Sequence, residues 1–131
     1  IFMNKILVEV SVGELLDKIS ILEIKQAKIK DLEKLEFIKE EYSILNDQLN
    51  KNVKSDEKLN NLFSLLKEIN SKLWLIEDEK RQCEKDQNFT DKFIKLSRDV
   101  HFLNDDRAKI KLEINNYTGS KIKEIKEYTN Y

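Results

Sequence analysis

Apolar residues recur every three or four positions through most of this chain, the spacing that gathers them on one side of an α-helix. Leu59, Leu62, Leu66, Ile69, Leu73 and Ile76 keep the alternation over one stretch, and Leu35, Ile38, Tyr42, Leu45 and Leu49 keep it over another. Both have the pattern of a coiled-coil seam between packed helices. A first helix is expected from about Ser11, because Ser11 and Glu14 have the spacing of a capping box, and Val10 and Leu15 that of a hydrophobic staple. Its stripe of Val12, Leu15, Ile19, Leu22 and Ile29 is widened by Leu16, Ile21, Ile24 and Ala27, so neighbours are expected on more than one side. Asp31 is placed to cap a second helix, which the polar run 50–56 ends. A third helix is expected from near Ser55 to about Lys85, and a turn near Asp86 to Phe89. The fourth, opened by Thr90 and closed by Gly119, carries Phe93, Leu96, Val100, Leu103, Ile110 and Ile114. Only Ile6, Val8 and Val10 alternate with period two, which reads as a short strand or an extended lead-in.

The expected fold is therefore all-α: an antiparallel bundle of about four long helices, the first paired with the second and the third with the fourth, with or without a short N-terminal strand. Composition agrees, since the chain has no proline, two glycines and 37% charged residues. Its 131 residues suit a single domain, 1–131, able to bury a core without disulfide or metal. The tail 120–131 has no clear period.

Charge and cysteine usage narrow the function. A net charge of −1, from 24 basic and 25 acidic residues, lacks the positive field of a nucleic-acid binder, so no nucleic-acid partner is expected. One cysteine, Cys83, and one histidine, His101, can form neither a disulfide nor a Cys/His metal centre, and no metal or cofactor is expected. No run approaches the roughly 18 apolar residues of a membrane span, and the start, where Met3 is a candidate natural initiator, has no signal-peptide core. A cytoplasmic protein is the expectation.

The candidate chemistry lies where the stripes fail. The face of Leu59, Leu66 and Leu73 also holds Asn70 and continues into Glu77, Arg81 and Glu84, while the fourth helix sets Ser97, Asn104, Arg107, Lys111 and Asn115 on or beside its apolar side. The first helix adds Glu23 and Gln26. A hairpin about residue 88 brings Asn70 level with Arg107 and Glu77 near residues 100–104, so Glu23, Glu77, Arg81, Asn104, Arg107 and Lys111 form the candidate ligand-binding cluster. No catalytic residue is assigned: Cys83 reads as a packing residue and His101 as a surface one. Buried charge is costly unless paired. One reading is a closed network, Glu77 or Glu84 with Arg81 and Glu23 with Arg107 or Lys111, inside a non-enzymatic helical module that forms a homodimer or binds a helical partner. The alternative is a pocket in which Arg81, Arg107 and Lys111 hold a small anionic metabolite, phosphorylated or carboxylated, in a binder or an enzyme.

The run from Val10 to Lys25, VSVGELLDKISILEIK, then Leu73-Trp74-Leu75-Ile76-Glu77-Asp78, Asn104-Asp105-Asp106-Arg107-Ala108-Lys109-Ile110-Lys111, Ile114-Asn115 and Gly119-Ser120 resemble a family of small bacterial all-helical domains of unknown function. The resemblance spans nearly the whole chain and implies a helical domain in a setting of surface polysaccharide and glycosyl transfer. The tail from Lys123 to Tyr128 follows that family's acidic-basic-aromatic ending only loosely. A fainter similarity, to the all-helical chorismate mutases, implies that a bundle can hold a dicarboxylate among Arg, Lys, Glu and Gln; the first helix here has no arginine for that purpose.

Overall fold

The structure, a computed structural model, describes residues 4–130, so the candidate start at Met3 lies outside the described residues. Four helices follow one another: α1 (Val12–Lys28), α2 (Leu32–Asn52), α3 (Glu57–Lys85) and α4 (Asp91–Thr118). The fold is an all-α bundle, with no strand among the described residues. Residues 4–11 have no regular structure, and Ile6, Leu7 and Val8 are exposed. Their alternation had no second strand to satisfy its backbone groups.

The helix ends follow their capping chemistry. Ser11 Oγ accepts from the Glu14 N–H at 3.0 Å, and Asp31 Oδ1 from the Lys34 N–H at 3.1 Å. Asp56, one residue beyond the expected Ser55, caps α3 by accepting from the Leu59 N–H at 2.8 Å. Thr90 stands at the N-cap of α4 but makes no cap bond; its hydroxyl donates to Asn88 Oδ1 at 2.7 Å. The α3–α4 turn places Gln87 at φ 54°. Gly119 ends α4 at φ 72°, a left-handed conformation that an L side chain resists.

The two hairpins form as expected, and α1 is the shared element: it packs against α2, α3 and α4, whereas α2 rests chiefly on α1. That position explains why α1 is apolar on several sides, with Leu15, Leu16, Ile19, Leu22 and Ile24 all buried. The core joins Leu16 to Leu59, Leu62, Leu66 and Ile114, and Leu49 and Val53 reach it from the end of α2. On α2, Ile38 is buried and Leu35, Tyr42, Leu45 and Leu49 are half-buried, so the seam faces inward while Leu32, Phe37 and Ile44 remain exposed.

The helices differ in length, and this decides what lies inside. The 17 residues of α1 span about 25 Å and the 29 of α3 about 43 Å. Ile21 and Ile24 lie beside Trp74 and Glu77, and past the end of α1 the α3/α4 hairpin runs on as two helices. Glu77, Arg81 and Glu84 continue the inward face by periodicity, yet all three are exposed; Glu77 and Arg81 face Ile21 and Ile24 of α1 across an open cleft.

Candidate functional site

Gly13, Asp17 and Ser20 lie four and three residues apart on one side of α1, and Arg107, Lys111 and Asn115 lie four apart on α4, so each set lines up along its helix. The two sets face each other. Asp17, 2% exposed, receives Arg107 Nε at 2.9 Å on Oδ1 and Nη2 at 2.5 Å on Oδ2, a bidentate pair. From α3, Asn70 Nδ2 donates to Asp17 Oδ1 at 2.9 Å and to Ser20 Oγ at 2.8 Å, and the Ser20 hydroxyl donates to the Asp17 carbonyl at 2.7 Å. One carboxylate thus joins three helices.

Next to it Lys111 Nζ donates to Glu14 Oε2 and to Glu124 Oε2, each at 2.8 Å, and lies 3.8 Å from Asp17 Oδ2. The start of α1 is tied to the end of α4: Asn115 Oδ1 accepts from the Gly13 N–H at 2.7 Å and Ser120 Oγ from the Val12 N–H at 3.0 Å, satisfying two donors that a helix N-terminus leaves open. A Cβ on Gly13 would stand 2.6 Å from the Lys111 carbonyl oxygen and 2.8 Å from Asn115 Oδ1, so only glycine allows this approach. Among the described residues no buried side-chain nitrogen or oxygen lacks a partner.

Burial alone would raise the Asp17 carboxyl, but the hydrogen bonds from Arg107 and Asn70 and the charges of Arg107 and Lys111 outweigh it and hold the group below the ordinary carboxylate range. Arg107 is pushed up chiefly by its bond to Asp17. Desolvation works against the Lys111 ammonium, yet the bonds to Glu124 and Glu14 and the charges of Asp17 and Glu14 raise it overall. Glu124 is lowered by the same bond to Lys111. In Asp17, Arg107, Lys111 and Glu124 alike, the shift favours the ionised form.

Of the sequence-derived cluster, Arg107 and Lys111 lie in this network, and Asn104 borders it, accepting from Arg107 Nη1 at a long 3.5 Å. Glu77 and Arg81 stand at its outer edge, where with Asp78 and Arg107 they rim a cleft of about 340 Å³ whose walls are Ile21, Ile24, Leu73 and Trp74. Neither Glu77 nor Arg81 makes an ion pair or side-chain hydrogen bond among the described residues. Glu23 lies elsewhere: it accepts from Lys67 Nζ at 2.8 Å and from the Tyr42 hydroxyl at 3.4 Å. Six residues at 100° each place it about 120° around α1 from Asp17. The expected pairings of Glu23 with Arg107 or Lys111, and of Glu77 or Glu84 with Arg81, are thus replaced by Asp17–Arg107, Lys111 with Glu14 and Glu124, and Glu23–Lys67.

Asp17, Ser20, Glu14 and Glu124 were absent from the expected cluster. The first two had a legible signal, because Gly13, Asp17 and Ser20 interrupt an otherwise apolar arc of α1 at helical spacing. Glu124 had none, since the tail bearing it lies beyond α4 without regular structure.

Chemically, the network is closed. The two cations that point inward are already met by Asp17, Glu14 and Glu124, and the adjoining cleft balances Glu77 and Asp78 against Arg81 and an Arg107 neutralised by Asp17. Among the described residues, no helix is long and apolar enough to cross a membrane. No curated protein and no solved structure matches the chain. Residues 6–131, which contain all four helices and every member of the network, match a family of unknown function, DUF6165, and the chain belongs to that family.

Proposed function

We propose that this protein is a non-enzymatic helical module that self-associates through the side of the α3/α4 hairpin facing away from α1. The observation that carries the reading is that among the described residues no helix packs on this side, yet it holds apolar residues: Leu75 is 52% exposed and Phe102 41%, on either side of a groove of about 450 Å³. Exposed apolar surface that flanks a groove favours association, because covering it removes that area from water. The polar network supports the same reading indirectly. It fixes α1 on the hairpin's inner side, leaving the outer side as the face available to a partner. A cytoplasmic setting is part of the proposal, and a buried, free Cys83 is compatible with it.

Sedimentation velocity tests the proposal directly. The full chain is expected to form a dimer whose population rises with concentration. Phe102→Glu is expected to abolish the dimer while leaving helicity and melting intact, and Phe37→Glu, on the exposed face of α2, is expected to change neither. A wild-type chain that stays monomeric up to high micromolar concentration overturns the reading.

A second reading, a binder of or enzyme acting on a small anionic metabolite, is supported by Arg81, which lines the cleft beside Trp74 without an ion-pair partner among the described residues. The acids Glu77 and Asp78 on the same rim weaken the field such a ligand would need, so this reading ranks second. Phosphate, citrate and sugar nucleotides are expected to leave the melting temperature unchanged; a rise that Arg81→Ala removes would reverse the ranking.

A further inference from the structure

The α3 wall of the outer groove is laid out with a symmetry of its own. Its members Lys72, Leu75, Ile76 and Glu79 are spaced three, one and three residues apart. Read backwards, that series is again a charged residue, two apolar residues and a charged residue, with the sign of the charge reversed at each end. We propose that a second copy of this chain occupies the groove, its α3 antiparallel to the first, about a two-fold axis passing between Leu75 and Ile76. This rests on the self-association reading and adds to it a register. In that register Lys72 meets Glu79 of the partner subunit, Glu79 meets Lys72 of the partner subunit, and Leu75 packs against Ile76 of the partner subunit. A two-fold interface requires this kind of self-complementarity, in which one residue meets a second and the second meets the first.

The rest of the groove agrees with a second copy. Phe102 lies across from Leu75 and Ile76, at the level of the axis, so the same operation sets it beside Phe102 of the partner subunit and gives the interface an aromatic centre. The groove's remaining charge, Asp99, is already paired with Lys95 at 2.7 Å, which leaves one cation and one acid and no net field to recruit a strongly charged partner. Lys72 is free to turn outward. Its contact with Glu68 is 3.5 Å, with side chains 58% and 62% exposed, and an exposed pair of this kind holds its members weakly. Within one chain Lys72 and Glu79 stand about 10 Å apart along the helix and do not answer each other.

Charge reversal gives the test. Lys72→Glu and Glu79→Lys are made separately in the full chain and each is studied by sedimentation velocity, alone and mixed one to one. Alone, each variant confronts like charges at both ends of the interface and is expected to dimerise roughly ten-fold more weakly than wild type, as two exposed pairs pass from attraction to repulsion. Mixed, the two variants confront opposite charges at both ends and are expected to recover wild-type affinity as a heterodimer. Lys72→Glu also faces Glu68 in its own helix, but that strain persists in the mixture and cannot produce a recovery. Circular dichroism and melting confirm that both variants fold. If wild type dimerises but the single variants are unaffected, or the mixture does not recover, the antiparallel register is overturned and self-association stands. If wild type does not dimerise at all, both fall.

Discussion

At the base of the α3/α4 hairpin Asn70, Lys111 and Asn115 are buried and bonded, while toward its tip Glu77, Arg81 and Glu84 extend into solvent. The two regions belong to the same pair of helices and place polar residues on the same side. What separates them is α1, which packs closely on the base and toward the tip borders an open cleft. With a third helix in place, an inward polar residue must find a partner because water is excluded, and Asp17 supplies one to both Arg107 and Asn70. Where α1 leaves a cleft open, water serves, and Arg81 stays without an ion-pair partner among the described residues at no penalty. A polar residue on a facing stripe thus becomes part of a network only if some other element closes over it.

The strongest way to break the contrast is to remove a cation from the covered region. Arg107→Ala leaves the Asp17 carboxylate buried without its bidentate partner and is expected to cost about 3–5 kcal/mol in chemical denaturation. Arg107→Met should cost nearly as much, because Asp17 is stranded in either variant. The double variant Asp17→Leu/Arg107→Met removes both charges and should recover most of the loss; no recovery would mean that shape rather than charge governs the site.

Gly13→Ala probes how closely α1 approaches α4. The added methyl meets a backbone carbonyl of Lys111, which cannot swing away as a side-chain end would, and the expected cost is about 1–3 kcal/mol by thermal or chemical melting. On an exposed helix the same change would stabilise, so the sign of the effect is the test.

Acid gives a graded version of the first experiment. The Asp17 carboxyl is depressed in the folded protein, so its contribution is complete above the unfolded value of about 3.9 and is lost as pH falls from there through the folded value. Between those two limits Asp17 adds a slope of about 1.4 kcal/mol per pH unit to the stability curve. The same slope should be missing in Asp17→Asn, and matching curves for the two proteins would show that the carboxylate is not held ionised by folding.

The smallest change is expected at the open cleft. Arg81→Ala should alter stability by no more than about 0.5 kcal/mol, because an exposed, unpaired side chain has little to lose. A loss approaching that of Arg107→Ala would mean that the hairpin tip is covered after all, by α1 or by a second copy.

The local sequence determined the helices themselves. Ser11, Asp31 and Asp56 stop and start the chain by offering oxygens to free N–H groups, Gly119 closes α4 because a left-handed residue is needed there, and the three-four spacing of apolar residues chose α-helix throughout. These are interactions within a few residues, and they can be read along the chain. The sequence also marked Arg107, Lys111 and Asn70 as misplaced polar residues. It could not say which acids answer them, since the partners lie far away in sequence: Asp17 is 90 residues from Arg107 and Glu14 is 97 from Lys111. Nor could it tell Glu77 and Arg81 apart from the buried set. Their positions on the helix are equally inward, and only the tertiary arrangement decides that α1 leaves them facing an open cleft. Periodicity defines the direction of a side chain relative to its own helix; whether that direction leads to a carboxylate or to water depends on how closely another helix packs over it.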